Sequence, residues 1–239
     1  MCDRKEFQKL YPFTTEDISG YIKLFDLDGS DVLTVGSSGD QAFNSLLLNA
    51  KSVTIFDINQ NTKKFIKEKR KLILTTPREQ LYNSVLSMKK FAYSDDVFSK
   101  KELEKMNLYL KDDEAYHQLR EKLKAKEIIV KNGDVFKRLD NLSNKKYDYI
   151  FLSNVLQYLN SNETEIGKSV VEIFNHLSEH LNENGIIQLY YLYGSLYPKK
   201  FASILNEFLK YGIFLEKQQC ENSNDSIITI KKYTKKKMI

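Results

Sequence analysis

Short apolar runs bounded by polar or glycine residues alternate along this chain with longer stretches in which apolar residues recur at helical spacing. The short runs fall at residues 31–35, 53–57, 128–131, 147–153 and 185–192, each rich in Val, Ile, Leu, Phe or Tyr. Several are apolar on both faces, as a strand must be when helices cover both sides of its sheet. The helical stretches fall at 15–25, 41–49, 60–73, 163–181 and 199–211. This alternation predicts a parallel sheet with crossover helices. Towards the end the pattern changes. Runs at 213–220 and 226–233 flank the polar residues 221–225, which reads as an antiparallel hairpin. The expected sheet is therefore mostly parallel with an antiparallel edge. Asn162 should cap the helix that begins at Glu163, and Asn184-Gly185 should end it.

One stretch exceeds what a strand–helix–strand unit needs. About fifty residues, 74–126, separate the second crossover helix from the third strand. Helical patterns at 79–91, 100–110 and 114–126, with Pro77 and Ser99 as breakpoints, predict a helical insertion within one domain spanning 1–239. The pattern leaves open whether it covers a pocket as a lid or thickens one side of the sheet.

Composition adds boundaries. The 41% apolar and 29% charged fractions suit a globular chain with a sizeable core. No apolar run nears the roughly 20 residues of a membrane-spanning helix, and the first ten residues lack the apolar centre of a signal peptide. Cys2 and Cys220 have neither metal-ligand nor disulfide-scaffold spacing. The cytoplasm is the expected compartment. The net charge of +5 gathers in two groups, residues 63–71 and the C-terminal lysines 231–237. Charge alone names no partner, and no nucleic-acid-binding motif accompanies it.

The chemistry starts at the first strand end. Gly36, Ser37, Ser38, Gly39 and Asp40 form a glycine turn that leads into a helix. In a doubly wound sheet the ligand lies beyond the carboxyl ends of the strands, at this turn. Glycine admits close approach, and backbone N–H groups at a helix start favour a carboxylate. Asp57 ends the second strand, 21 residues after Gly36, the spacing of the acidic residue that binds ribose hydroxyls; Ile58 follows it. Asp57 could instead cap the next helix. Asn132-Gly133-Asp134 ends the third strand, where Asp134 can accept an adenine amine and the Val135 N–H can face a ring nitrogen. A P-loop and a G-x-G-x-x-G are both absent, so ribose and adenine without pyrophosphate fit best.

The segments 32–40, 56–59, 132–134 and 147–159 resemble successive motifs of the class I S-adenosyl-L-methionine (SAM) dependent methyltransferase superfamily. Residues 32–59 look most like the branch containing betaine-lipid-type aminocarboxypropyl transferases. The resemblance implies a Rossmann-like α/β fold, SAM as cofactor, and methyl transfer to an unidentified acceptor: small molecule, lipid headgroup or RNA. The alternatives are transfer of the 3-amino-3-carboxypropyl group, or a non-catalytic SAM-binding protein with a regulatory or RNA-associated role. The chain departs from the pattern where Thr34 replaces the usual acidic residue two before the first glycine, and where Ser38 and Asp40 replace the later glycines.

Methyl transfer from a sulfonium needs alignment more than acid–base machinery. The reacting centre is expected above the first and fourth strands, with Asn154 orienting the acceptor and contacting the cofactor, and the Tyr158 ring facing the sulfonium. Tyr190, Tyr191, Tyr193 and Tyr197 surround the end of the fifth strand. His176, Glu179 and His180 match an H-x-x-E-H pattern, but they lie at the opposite end of the sheet without a third ligand, so no metal site is expected.

Overall fold

A computed structural model describes residues 10–91, 98–135, 137, 142, 145–159, 166–194, 199–211, 213–221 and 223–232. Seven strands form one sheet: β1 (Asp31–Val35), β2 (Ser52–Asp57), β3 (Ile128–Asn132), β4 (Tyr147–Phe151), β5 (Leu181–Leu192), β6 (Glu216–Gln219) and β7 (Ser226–Lys231). Their order is β3-β2-β1-β4-β5-β7-β6. The first five pair in parallel, and β7 pairs antiparallel with both β5 and β6. This is a Rossmann-like doubly wound α/β sheet with an antiparallel C-terminal hairpin. Strand order reverses between β1 and β4, which makes their carboxyl ends the topological switch point of the sheet. The hairpin's second strand lies inside the sheet. Its first, β6, forms the edge, and the polar residues Glu216, Lys217, Gln218 and Gln219 guard it.

Helices cover both faces. α1 (Ile18–Tyr21), α2 (Asp40–Leu47), α3 (Thr62–Thr75), α4 (Arg78–Leu86), α5 (Lys100–Met106) and α6 (Asp113–Ala125) share one core with Val32, Val53 and Ile55. On the other face, α7 (Ile166–Ser178) and α8 (Lys199–Lys210) pack against Leu33, Ile150 and Ile187. Every residue of α2 is buried, including Gln41, Asn44 and Ser45. The insertion accounts for this. Asn107 accepts from the Asn44 amide at 2.9 Å, the Leu108 N–H donates to Asn44 Oδ1 at 2.8 Å, and Tyr109 meets Phe43 edge-on. The helices of 78–125 thus thicken the α2 side of the sheet. The Ser99 side chain caps α5 in a reciprocal capping box with Glu102. Ser99→Ala should lower stability by about 1 kcal/mol in chemical denaturation.

Two expectations change. The helix expected at 15–25 is reduced to the single turn of α1 and a 3-10 turn at Ile22–Leu24. Asp17 caps α1 through its side chain, which leaves Thr14, Thr15 and Glu16 ahead of the helix. Asn184-Gly185 does not end α7, since that helix stops at Ser178 and β5 begins at Leu181. Asn184 takes a positive φ of 63° inside β5, where the register with β4 shifts. The expected cap at Asn162 and Glu163 lies outside the described residues.

Candidate functional site

At the end of β1 the chain turns through Gly36, and the Gly36 N–H donates to the Phe56 carbonyl at 2.8 Å. A Cβ on Gly36 would overlap the Asp57 carboxylate and the Thr62 methyl, so only glycine lets the two strand ends meet. Ser37 has φ 40° and Gly39 φ 79°, a left-handed pair that aims the turn into α2. Asp57 Oδ2 accepts from the Ser37 N–H at 2.9 Å, and its Oδ1 accepts from the Asn59 N–H at 2.8 Å. Asp57 therefore closes a local turn ahead of α3, whose N-cap is Asn61 and not Asp57, and it also ties the glycine turn to β2. Burial raises its pKa above the ordinary carboxylate value, and the two backbone N–H bonds partly offset this. Beside it, Ile58 exposes 41% of its surface.

The third strand end joins the same group. Gly133 N–H donates to the Asp57 carbonyl at 2.9 Å, and the Asn132 amide donates to the Asp57 and Ile58 carbonyls at 3.0 and 3.1 Å. Asp134, partly exposed, lies 3.9 Å from Lys137, and Val135 is buried. The ends of β1, β2 and β3 are thus wired together through Asp57.

Ser38 and Asp40 serve the interior. Ser38 is buried, its Oγ accepts from the Asp40 N–H at 3.3 Å, and its carbonyl accepts from Lys69 at 3.1 Å. Asp40 is fully buried. Its carboxylate pairs with Lys69 at 2.7 Å and accepts from Tyr109 Oη and from the Thr14 N–H, both at 2.7 Å. Lys69 also donates to the Pro12 carbonyl at 2.7 Å and sits 4.3 Å from the Phe13 ring centre. The departure from glycine at position 40 therefore anchors the turn to α3, the insertion and the N-terminal segment.

At the end of β4, Ser153 adopts a positive φ of 59°. Its N–H donates to Gln188 Oε1 at 2.8 Å and its carbonyl accepts from the Tyr191 N–H at 3.1 Å. The Asn154 amide donates to Tyr193 Oη at 3.0 Å, and Tyr193 Oη in turn meets Thr15 Oγ1 at 2.9 Å. Tyr158 lies in the 3-10 turn Val155–Tyr158 and is 36% exposed. Tyr197 lies outside the described residues.

Sequence patterning overlooked Glu16. The segment before α1 carries it over the ends of β1 and β4, where Ser153 Oγ donates to Glu16 Oε1 and Tyr21 Oη donates to Oε2 at 3.2 Å. Gln41 Nε2 lies 3.5 Å from Glu16 Oε2 and donates to Tyr21 Oη at 2.7 Å, while Thr34 Oγ1 donates to Gln41 Oε1 at 2.6 Å. Burial lifts the Glu16 pKa from 4.5 to about 7, against the hydrogen bonds that lower it. The one available signal was the acidic pair Glu16 and Asp17 in the otherwise uncharged 10–22 segment of a chain that carries Thr34 just before the end of its first strand.

His176 and His180 meet edge-on at 5.5 Å, and the His180 carbonyl accepts from the N–H that starts β4, at the sheet's far end. Among the described residues, no group of three His, Cys, Asp or Glu is arranged to hold a metal ion, and no helix is long and apolar enough to cross a membrane.

No protein-family model and no curated protein sequence matches the chain. Among solved structures it is similar to precorrin-6y C5,15-methyltransferase from Geobacter metallireducens (TM-score 0.48, 11% identity, 97% of this chain and 96% of that one). It is also similar to the rRNA methyltransferase aviRa from Streptomyces viridochromogenes (TM-score 0.48, 14% identity, 89% and 80%). A third is a protein from Streptococcus mutans assigned as a SAM-dependent methyltransferase (TM-score 0.44, 16% identity, 90% and 46%). The chain spans about half of that last protein's length. The likeness is one of fold.

Proposed function

We propose that this chain binds SAM at the joined ends of β1, β2 and β3 and transfers its methyl group to an acceptor. The carrying observation is Asp57, whose carboxylate contacts the glycine turn while its carbonyl holds the Asn132-Gly133 turn. An ionised carboxylate accepting ribose hydroxyls forms charge-assisted bonds of roughly 1.5–3 kcal/mol each. The residues fit the group in a second respect. Asn59 Nδ2, at the same strand end, is buried without a hydrogen-bond partner among the described residues, a donor that a nucleoside oxygen or ring nitrogen would satisfy.

In this reading Asp57 binds the ribose, Ile58, Asp134 and Val135 contact the adenine, and Gly36, Ser37 and Gly39 receive the methionine arm, with Ser38 holding the turn from the interior side. The α2 N-terminus, headed by Asp40, adds its backbone dipole. Bound SAM supplies a methyl group already activated on a sulfonium. Asn154 then has the task of orienting the acceptor at the end of β4, an entropic contribution, and Tyr158 that of facing the sulfonium through its ring. Incubation of the protein and SAM with fractionated small molecules, lipids and RNA should release S-adenosylhomocysteine. Release of methylthioadenosine instead would assign aminocarboxypropyl transfer, and no turnover with any fraction would leave a binding protein.

A further inference from the structure

Three carboxylates are buried beside the glycine turn, and they are balanced differently: Asp57 accepts two backbone N–H bonds, one of them from the turn itself. Asp40 has the ammonium of Lys69 at 2.7 Å. Glu16 is 2% exposed and is held by the Ser153 and Tyr21 hydroxyls, with the Gln41 amide and the Asn154 N–H nearby, all neutral. No Lys, Arg or His pairs with it among the described residues. A buried carboxylate without a counter-ion is costly unless it is protonated or a cation reaches it. Glu16 sits between α2 and the end of β4, joined to Thr34 through Gln41, and its neighbours Thr15, Ser153 and Asn154 are partly exposed.

Resting on the SAM reading above, we propose that Glu16, delivered by the segment ahead of α1, supplies the carboxylate that receives the cofactor's α-ammonium group, and so makes SAM binding proton-linked. The other titratable groups around it are Asp17 and Asp225, Tyr21, Tyr191 and Tyr193, and Cys220. Burial raises the three tyrosines and Cys220 above their ordinary values, so they stay neutral near pH 7. Asp225 adds like charge, which favours the protonated form of Glu16. The sign follows. Protonated Glu16 does not burden the fold, and its contribution to stability is lost as pH rises through about 7. A bound ammonium favours the ionised form, so SAM affinity should fall as pH drops below about 7 and binding at pH 7 should release about half a proton.

The test is calorimetry with SAM, S-adenosylhomocysteine and methylthioadenosine, which lacks the amino-acid arm, on the wild-type chain and on Glu16→Gln. SAM and S-adenosylhomocysteine should bind Glu16→Gln at least tenfold more weakly and lose the pH dependence they show beyond that of methylthioadenosine, whose own affinity should be unchanged. Weakening of SAM alone would point to the sulfonium and overturn the ammonium assignment. Equal weakening of all three would make Glu16 structural, and unchanged affinities would remove it from the site. If Glu16→Gln fails to fold, the wild-type profile decides: a SAM-to-methylthioadenosine affinity ratio constant from pH 5.5 to 7.5 overturns the proposal. Binding of none of the three by wild type would instead remove the SAM reading itself.

Discussion

Replacing Lys69 with methionine should cost about 3–5 kcal/mol of stability, because it leaves the Asp40 carboxylate buried without its counter-ion. The Lys69 ammonium joins α3 to the first residue of α2, to the Ser38 carbonyl of the glycine turn, and to the Pro12 carbonyl of the N-terminal segment. The same change therefore loosens three pieces of backbone that meet at the candidate site. Urea denaturation of Lys69→Met should show the loss. The double variant Lys69→Met/Asp40→Asn should recover part of it, since the uncompensated charge is gone. A loss under 1 kcal/mol for the single variant would mean that Asp40 reaches water or another cation when Lys69 is absent.

Asp57→Ala should weaken SAM binding at least tenfold, roughly 1.4 kcal/mol. The variant removes the proposed ribose acceptor. It also frees the Ser37 and Asn59 N–H groups, so the glycine turn loses its tie to β2. Because burial holds the Asp57 pKa above its ordinary value, SAM affinity should also decline in acid as this carboxylate is protonated. Calorimetry with SAM checks both. Unchanged affinity in Asp57→Ala, at unchanged thermal stability, would sink the ribose assignment and leave Asp57 as a turn-holding residue.

The sheet was legible because its determinants are local. Asp31–Val35 stands as its pattern predicts, and the other central strands fall within a few residues of theirs, since an apolar run between turn residues has few alternatives. Pro77 and Ser99 both mark helix starts for local reasons, a fixed φ and a side-chain cap. Asn184-Gly185 misled, because a left-handed residue looks the same at a helix end and at a strand irregularity; the partner strand decides which it is.

The same division runs through the site. Gly36, Asp57 and the Asn132-Gly133-Asp134 turn were recognisable because each ends a strand of a parallel sheet, and parallel strands bring their ends together. The roles of Asp40 and Glu16 were not, although each is a single acidic residue near a motif. Lys69 reaches Asp40 across 29 positions and Tyr109 across 69, while Ser153 reaches Glu16 across 137. A carboxylate's charge, partners and proton affinity depend on what is packed around it, and those neighbours come from distant parts of the chain. By itself the sequence determined the strand ends at which a nucleoside could sit. Only the tertiary structure decided that Asp40 is neutralised from within while Glu16 has no counter-ion among the described residues, because burial and Coulomb balance are properties of the assembled neighbourhood.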